Sequence, residues 1–94
     1  MPEVRIEGSA RRDLKRLPRE VVEWVLEAVG ELERDPFIGE RLRLPASLRG
    51  LYCFKLRRGD YRLIYCYIPS RDTVYIVAVG HRDEIYEKFQ RRIG

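Results

Sequence analysis

Lys55, Arg57 and Arg62 lie on two runs of alternating aromatic and aliphatic residues, Leu51–Arg57 and Tyr61–Ile68. Such runs read as β-strands, and Arg58-Gly59 between them reads as a two-residue hairpin turn. That turn predicts Arg57 opposite Asp60 and Lys55 opposite Arg62. Alternation then sends Tyr52, Phe54, Leu56, Tyr61, Leu63, Tyr65 and Tyr67 to one face and Cys53, Lys55, Arg57, Arg62, Ile64 and Cys66 to the other. Two opposed cations on a sheet repel each other. The long side chains can splay apart into solvent, with Arg57–Asp60 as an ordinary ion pair. Alternatively the cations hold an anion between them, with Arg as a bidentate fork and Lys as a point charge, or as a base if its neighbours depress its pKa.

A second cluster follows the next strand, in Gly80-His81-Arg82-Asp83-Glu84-Ile85-Tyr86. Histidine titrates near neutrality and suits proton transfer, and tyrosine can stack on an unstacked base. Each residue also has a plain structural use, His81 as a cap at the strand end and Tyr86 as part of the core. With Lys55 and Arg62 they make a set suited to phosphodiester cleavage without a metal. The charge distribution agrees. Residues 1–47 carry nine basic and ten acidic groups, whereas residues 48–94 carry ten and five, so the second half supplies the whole net charge of +4. A basic half is the footprint of a polyanionic partner, and Arg49, Arg57 and Arg58 are candidates for further RNA phosphate contacts.

The elements that must carry these residues fit one domain, residues 1–94. Val4 and Ile6 mark an opening strand. Ser9 is a possible cap for a helix turning Ala10, Leu14 and Leu17 inward. Pro18 suits the first turn of a second helix, whose inner face would hold Val21, Val22, Val25, Leu26, Val29 and Leu32. Residues 36–49 read as loop. Three strands follow, the last being Thr73–Gly80, and Arg82–Arg92 can form a final helix. The predicted fold is α+β, in the order β-α-α-β-β-β-α, with an antiparallel sheet packed against a helical hairpin. No apolar run is long enough to span a membrane, and the N-terminus lacks the features of a signal peptide, so the cytoplasm is expected. The two cysteines lack metal-ligand spacing. They sit diagonally in the register above, roughly 7 Å apart, so free thiols are expected.

The segments Leu48-Arg49-Gly50-Leu51-Tyr52, Gly59-Asp60-Tyr61-Arg62-Leu63-Ile64-Tyr65 and Val77-Ala78-Val79-Gly80-His81-Arg82, ending at Tyr86, resemble the RelE/ParE superfamily of toxins from type II toxin–antitoxin pairs. The resemblance covers nearly the whole chain. It implies a RelE-like fold and a ribosome-dependent messenger-RNA endonuclease that inhibits translation. Cleavage would use the substrate's own 2′-hydroxyl, leaving a cyclic phosphate, with no cofactor and no metal. The resemblance places catalytic roles on Lys55, Arg62, Arg82 and Tyr86, and His81 is a candidate for proton transfer. Cys53 stands where many RelE-like proteins have a second lysine. Expected partners are a cognate antitoxin, the ribosome and mRNA. The alternative is a ParE-like toxin that binds and inhibits DNA gyrase without being an enzyme.

Overall fold

The computed structural model describes residues 1–48 and 50–93. Strand β1 (Glu3–Ile6) leads into helices α1 (Gly8–Leu14) and α2 (Arg19–Arg34), joined by a short turn that ends at Pro18. A two-residue strand β2 (Glu40–Arg41) follows, then the long strands β3 (Tyr52–Arg58), β4 (Tyr61–Ile68) and β5 (Thr73–His81), and helix α3 (Ile85–Ile93). The sheet runs β1-β5-β4-β3-β2. Its three central strands are the expected antiparallel meander. Two features exceed the sequence reading: β1 pairs with β5 in parallel, and β2 arises inside the expected loop and pairs antiparallel with β3.

The period-two runs work as anticipated, because one face of β3–β5 is hydrophobic and buried. Phe54, Leu63, Tyr65, Tyr67, Val74, Ile76 and Val79 pack beneath Val21, Trp24, Val25, Ala28 and Leu32 of α2. Trp24 joins that helical stripe, whereas Leu26, expected inside, is exposed. The other face is covered at one end by α3, where Ile85 and Phe89 close over Cys53, Ile64, Cys66 and Ala78. No helix among the described residues is long and apolar enough to cross a membrane.

The β3–β4 hairpin corrects the expected register. Its central residues are Gly59-Asp60, so Arg58 pairs with Tyr61, Arg57 with Arg62, and Lys55 with Ile64. A tight hairpin turn needs positive φ at its first central position, which glycine adopts without strain. Gly59 has φ +58°. Pairing moves by a whole pleat, so every side chain keeps its predicted face while its partners change. The opposed cations are therefore Arg57 and Arg62. The same shift brings Cys53 directly opposite Cys66, with Cα atoms 4.0 Å apart, and the two form a disulfide rather than the expected free thiols.

Candidate nuclease site

Lys55 leaves β3 on the face shared with α3, just where that helix stops covering the sheet. Its side chain is 19% exposed. The ammonium donates a 2.8 Å hydrogen bond to the hydroxyl of Tyr86, which α3 presents, and lies 3.5 Å from the carboxylate of Glu40 on β2. The bond to Tyr86 and the charge of Glu40 raise the Lys55 pKa above its ordinary value, against partial burial. Lys55 is thus favoured as a cation in the unliganded protein, which suits it to bind a phosphate.

Both partners are placed by features well away from the ammonium. Glu40 is directly opposite Lys55 in the β2–β3 ladder and so shares its face. Strand β2 is held down by the Leu42 N–H donating to the Cys53 carbonyl at 2.8 Å, and by the Arg41 guanidinium over the Tyr52 ring at 4.6 Å. The preceding Gly39 passes so close to β3 that a Cβ there would lie 2.8 Å from the Lys55 carbonyl oxygen. Its N–H donates to the hydroxyl of Tyr65, and that hydroxyl donates to the Pro36 carbonyl. Burial pushes the Tyr65 pKa up to about 12, so it serves as a fixed neutral post.

Tyr86 depends on α3, and α3 depends on Asp13. This buried carboxylate of α1 accepts from Arg92 at 2.7 and 2.8 Å, from Lys88 at 3.2 Å and from the Val79 backbone N–H at 3.0 Å. Burial alone would raise the Asp13 pKa; the hydrogen bonds from Arg92, Val79 and Lys88 outweigh it and leave the pKa lowered. The sequence reading missed both Asp13 and Glu40. Asp13 follows Ala10 by three residues on the inward side of α1, which is the signal that could have found it. Glu40 sits in a segment without periodicity and gave none.

The remaining candidates divide between the two faces. Arg57 lines a shallow hollow of about 190 Å³ together with Ile38, Gly39, Glu40, Lys55 and Leu56. Arg62 shares that face but folds back, its Nη1 donating at 2.9 Å to the carbonyls of both Gly59 and Tyr61. Arg82 is tied to the hairpin by its backbone N–H, which donates to the Asp60 carbonyl at 2.7 Å, and its Nε is 3.7 Å from the Asp60 carboxylate. Arg58 and His81 are not brought to Lys55. Arg58 projects toward α2 and pairs with Glu27 at 3.6 Å. His81 is opposite Tyr61, on the side of the helical hairpin; its ring packs edge-on against Tyr61, and its Nδ1 accepts the Asp83 N–H at 3.2 Å. Arg49 lies outside the described residues. Among the described residues, no group of three or more His, Cys, Asp or Glu side chains is arranged to hold a metal ion.

The arrangement is a cationic hollow with one carboxylate on its rim and a phenol beside it. It suits a phosphodiester whose charge rises as it reacts. Comparison with known proteins agrees. The family model for the ParE toxin of type II toxin–antitoxin systems matches residues 4–86. The chain is 42% identical over 87 residues to Toxin RelG of Mycobacterium tuberculosis, covering 90% of this chain and 95% of that protein. It is 38% identical over 60 residues to the mRNA interferase toxin RelE of Escherichia coli, covering 57% of this chain and 63% of that one. Among solved structures, the RelBE2 toxin–antitoxin complex of M. tuberculosis matches with a TM-score of 0.69 and 41% identity, over 86% of this chain and 91% of the other. The chain belongs to the RelE/ParE superfamily of type II toxin–antitoxin toxins.

Proposed function

We propose that this protein is a toxin that cleaves messenger RNA on the ribosome, by attack of the RNA's own 2′-hydroxyl on the adjacent phosphate. The observation that carries the reading is the Lys55 ammonium, fixed by Tyr86 and Glu40 in a hollow that also presents Arg57. The match to a protein named an mRNA interferase supports it. Lys55 and Arg57 would hold the scissile phosphate, and Arg62 would swing from its turn carbonyls to neutralise the charge that develops on it. Tyr86, 41% exposed, has a ring face available for a base. Arg82 extends the cationic surface, and His81 braces the turn that carries it. Residues 1–94 act as one toxin domain in the cytoplasm, where its substrate is. The inhibiting partner is an antitoxin, as in the RelBE2 complex, and acidic segments complement the basic face.

Purified ribosomes programmed with a defined messenger test this directly. Cleavage within the decoding site, leaving a 2′,3′-cyclic phosphate and a 5′-hydroxyl, is the expected result. The family model carries the ParE name, so gyrase supercoiling belongs in the same experiment. An intact messenger together with inhibited supercoiling would overturn the nuclease reading.

A further inference from the structure

Most apolar residues of α2 face the sheet. Leu26 does not: it is 60% exposed, with the half-buried Val22 and Val29 one turn to either side of it. Gly30 stands next to them on the outer surface, where a Cβ would meet nothing within 4 Å among the described residues. A glycine inside a helix is destabilising relative to alanine, and no contact within the chain calls for one here. What it provides is a flat spot where another backbone can come close.

The stripe is self-complementary. Arg19, Val22, Leu26, Gly30 and Glu33 follow at spacings of three, four, four and three, so they share one face of the helix and the pattern reads the same from either end. Its two ends carry opposite charge. A second α2 laid antiparallel over the first, centred on Leu26, sets Leu26 against Leu26 of the partner subunit. Val22 then meets the partner's Gly30 and the partner's Val29, and Arg19 meets the partner's Glu33. Each outer contact recurs by symmetry, as a two-fold interface requires. Arg19 is 93% exposed and pairs with Glu23 at 3.3 Å, so it can turn to a partner without leaving a buried site. The other acids leave the stripe clear. Glu27 is drawn toward Arg58 at 3.6 Å, and Glu20 and Glu31 lie on other sides of the helix.

We propose that the outer face of α2 is a homodimer interface, on which two copies of this chain pair antiparallel about Leu26. The inference does not depend on the nuclease reading. The interface lies across the sheet from Lys55, so pairing leaves both hollows open and facing away from each other. One helix face per copy is smaller than the ~800 Å² per partner of a standard interface, so the dimer is weak, with Kd on the order of 10–100 μM.

The test is sedimentation equilibrium of the antitoxin-free protein from about 1 μM to 1 mM, over which wild type should pass from monomer to dimer. Arg19→Glu or Glu33→Arg alone should weaken pairing about tenfold, because two attractive pairs become repulsive. The double reversal should return Kd to within about threefold of wild type, since the same pairs re-form with opposite polarity. Leu26→Arg should leave only monomer. Leu26→Cys should cross-link to itself under mild oxidation, the two native cysteines being bonded to each other. All three positions are exposed, and unchanged circular dichroism verifies that each variant folds. A wild-type protein still monomeric at the highest concentration overturns the proposal, as does a dimer that survives Leu26→Arg. Charge reversals whose effects simply add overturn it too. So does a monomeric toxin whose Leu26→Arg variant instead loses its antitoxin, which would assign this face to that partner.

Discussion

Asp13→Asn should separate the strength of the α3 anchor from the chemistry it supports. The side chain is 6% exposed and receives two bonds from Arg92, one from Lys88 and one from the Val79 N–H. Asparagine matches its shape but removes the charge and turns an N–H₂ toward donors. Breaking a buried ion pair costs about 3–5 kcal/mol. Here the two cationic side chains are 19% and 25% exposed and can regain some water, so about 2–3 kcal/mol is expected. For a domain of this size that lowers Tm by roughly 10–20 °C. Urea unfolding followed by circular dichroism measures it. The pH dependence gives an independent check. The folded-state pKa of Asp13 lies below its unfolded value of about 3.9, so its contribution is complete above that value and disappears as pH falls through the folded pKa. The gap between wild type and variant should be full at pH 6–7 and close in strong acid. A gap under about 0.5 kcal/mol at pH 7, as for an ordinary surface change, would refute the reasoning, as would a gap that persists unchanged at the acid limit.

Two further substitutions address the site. Arg62→Ala loses two bonds to turn carbonyls, so it should fold, yet it should cost ~2–4 kcal/mol of transition-state stabilisation, or roughly thirty- to a thousandfold in cleavage rate. Growth arrest at wild-type strength by the stably expressed variant would contradict that role. His81→Ala should cleave within threefold of wild type in single turnover while unfolding at lower denaturant, because His81 braces the turn after β5; a rate loss above about 10²-fold without loss of stability would return proton transfer to it.

Alternation of side chains is a local property, and it made the two faces of the central strands readable. Lys55, Arg57 and Arg62 do share a face, as expected. Which residues stand opposite each other depends on the turn. There the positive φ of Gly59 selects the first central position and displaces the pairing that placed Lys55 against Arg62. The disulfide was missed for the same reason, since Cys53 and Cys66 are diagonal in one register and opposed in the other. His81 was separated from Lys55 by strand parity, which its position next to Arg82 in sequence does not reveal. Glu40 acquires its setting only when Gly39 packs onto Lys55 and Tyr65, a contact between segments far apart in the chain. Asp13 was hidden differently. A lone acid on a short helix reads as solvated until its cationic partners arrive from α3.

The order in which the chain is made gives that Asp13 anchor a temporal meaning. Its partners Val79 and Arg92 stand 66 and 79 positions downstream, and β1 likewise finds its neighbour only in β5. Contacts of such long separation close large loops, which is entropically costly, and they cannot form before the later segment exists. Tyr86 rides on the same helix and reaches Lys55 only after α3 docks. A nascent chain released from its ribosome before residue 92 therefore lacks the cross-link that seats α3. The Lys55–Tyr86 contact that shapes the candidate site is therefore among the last to form.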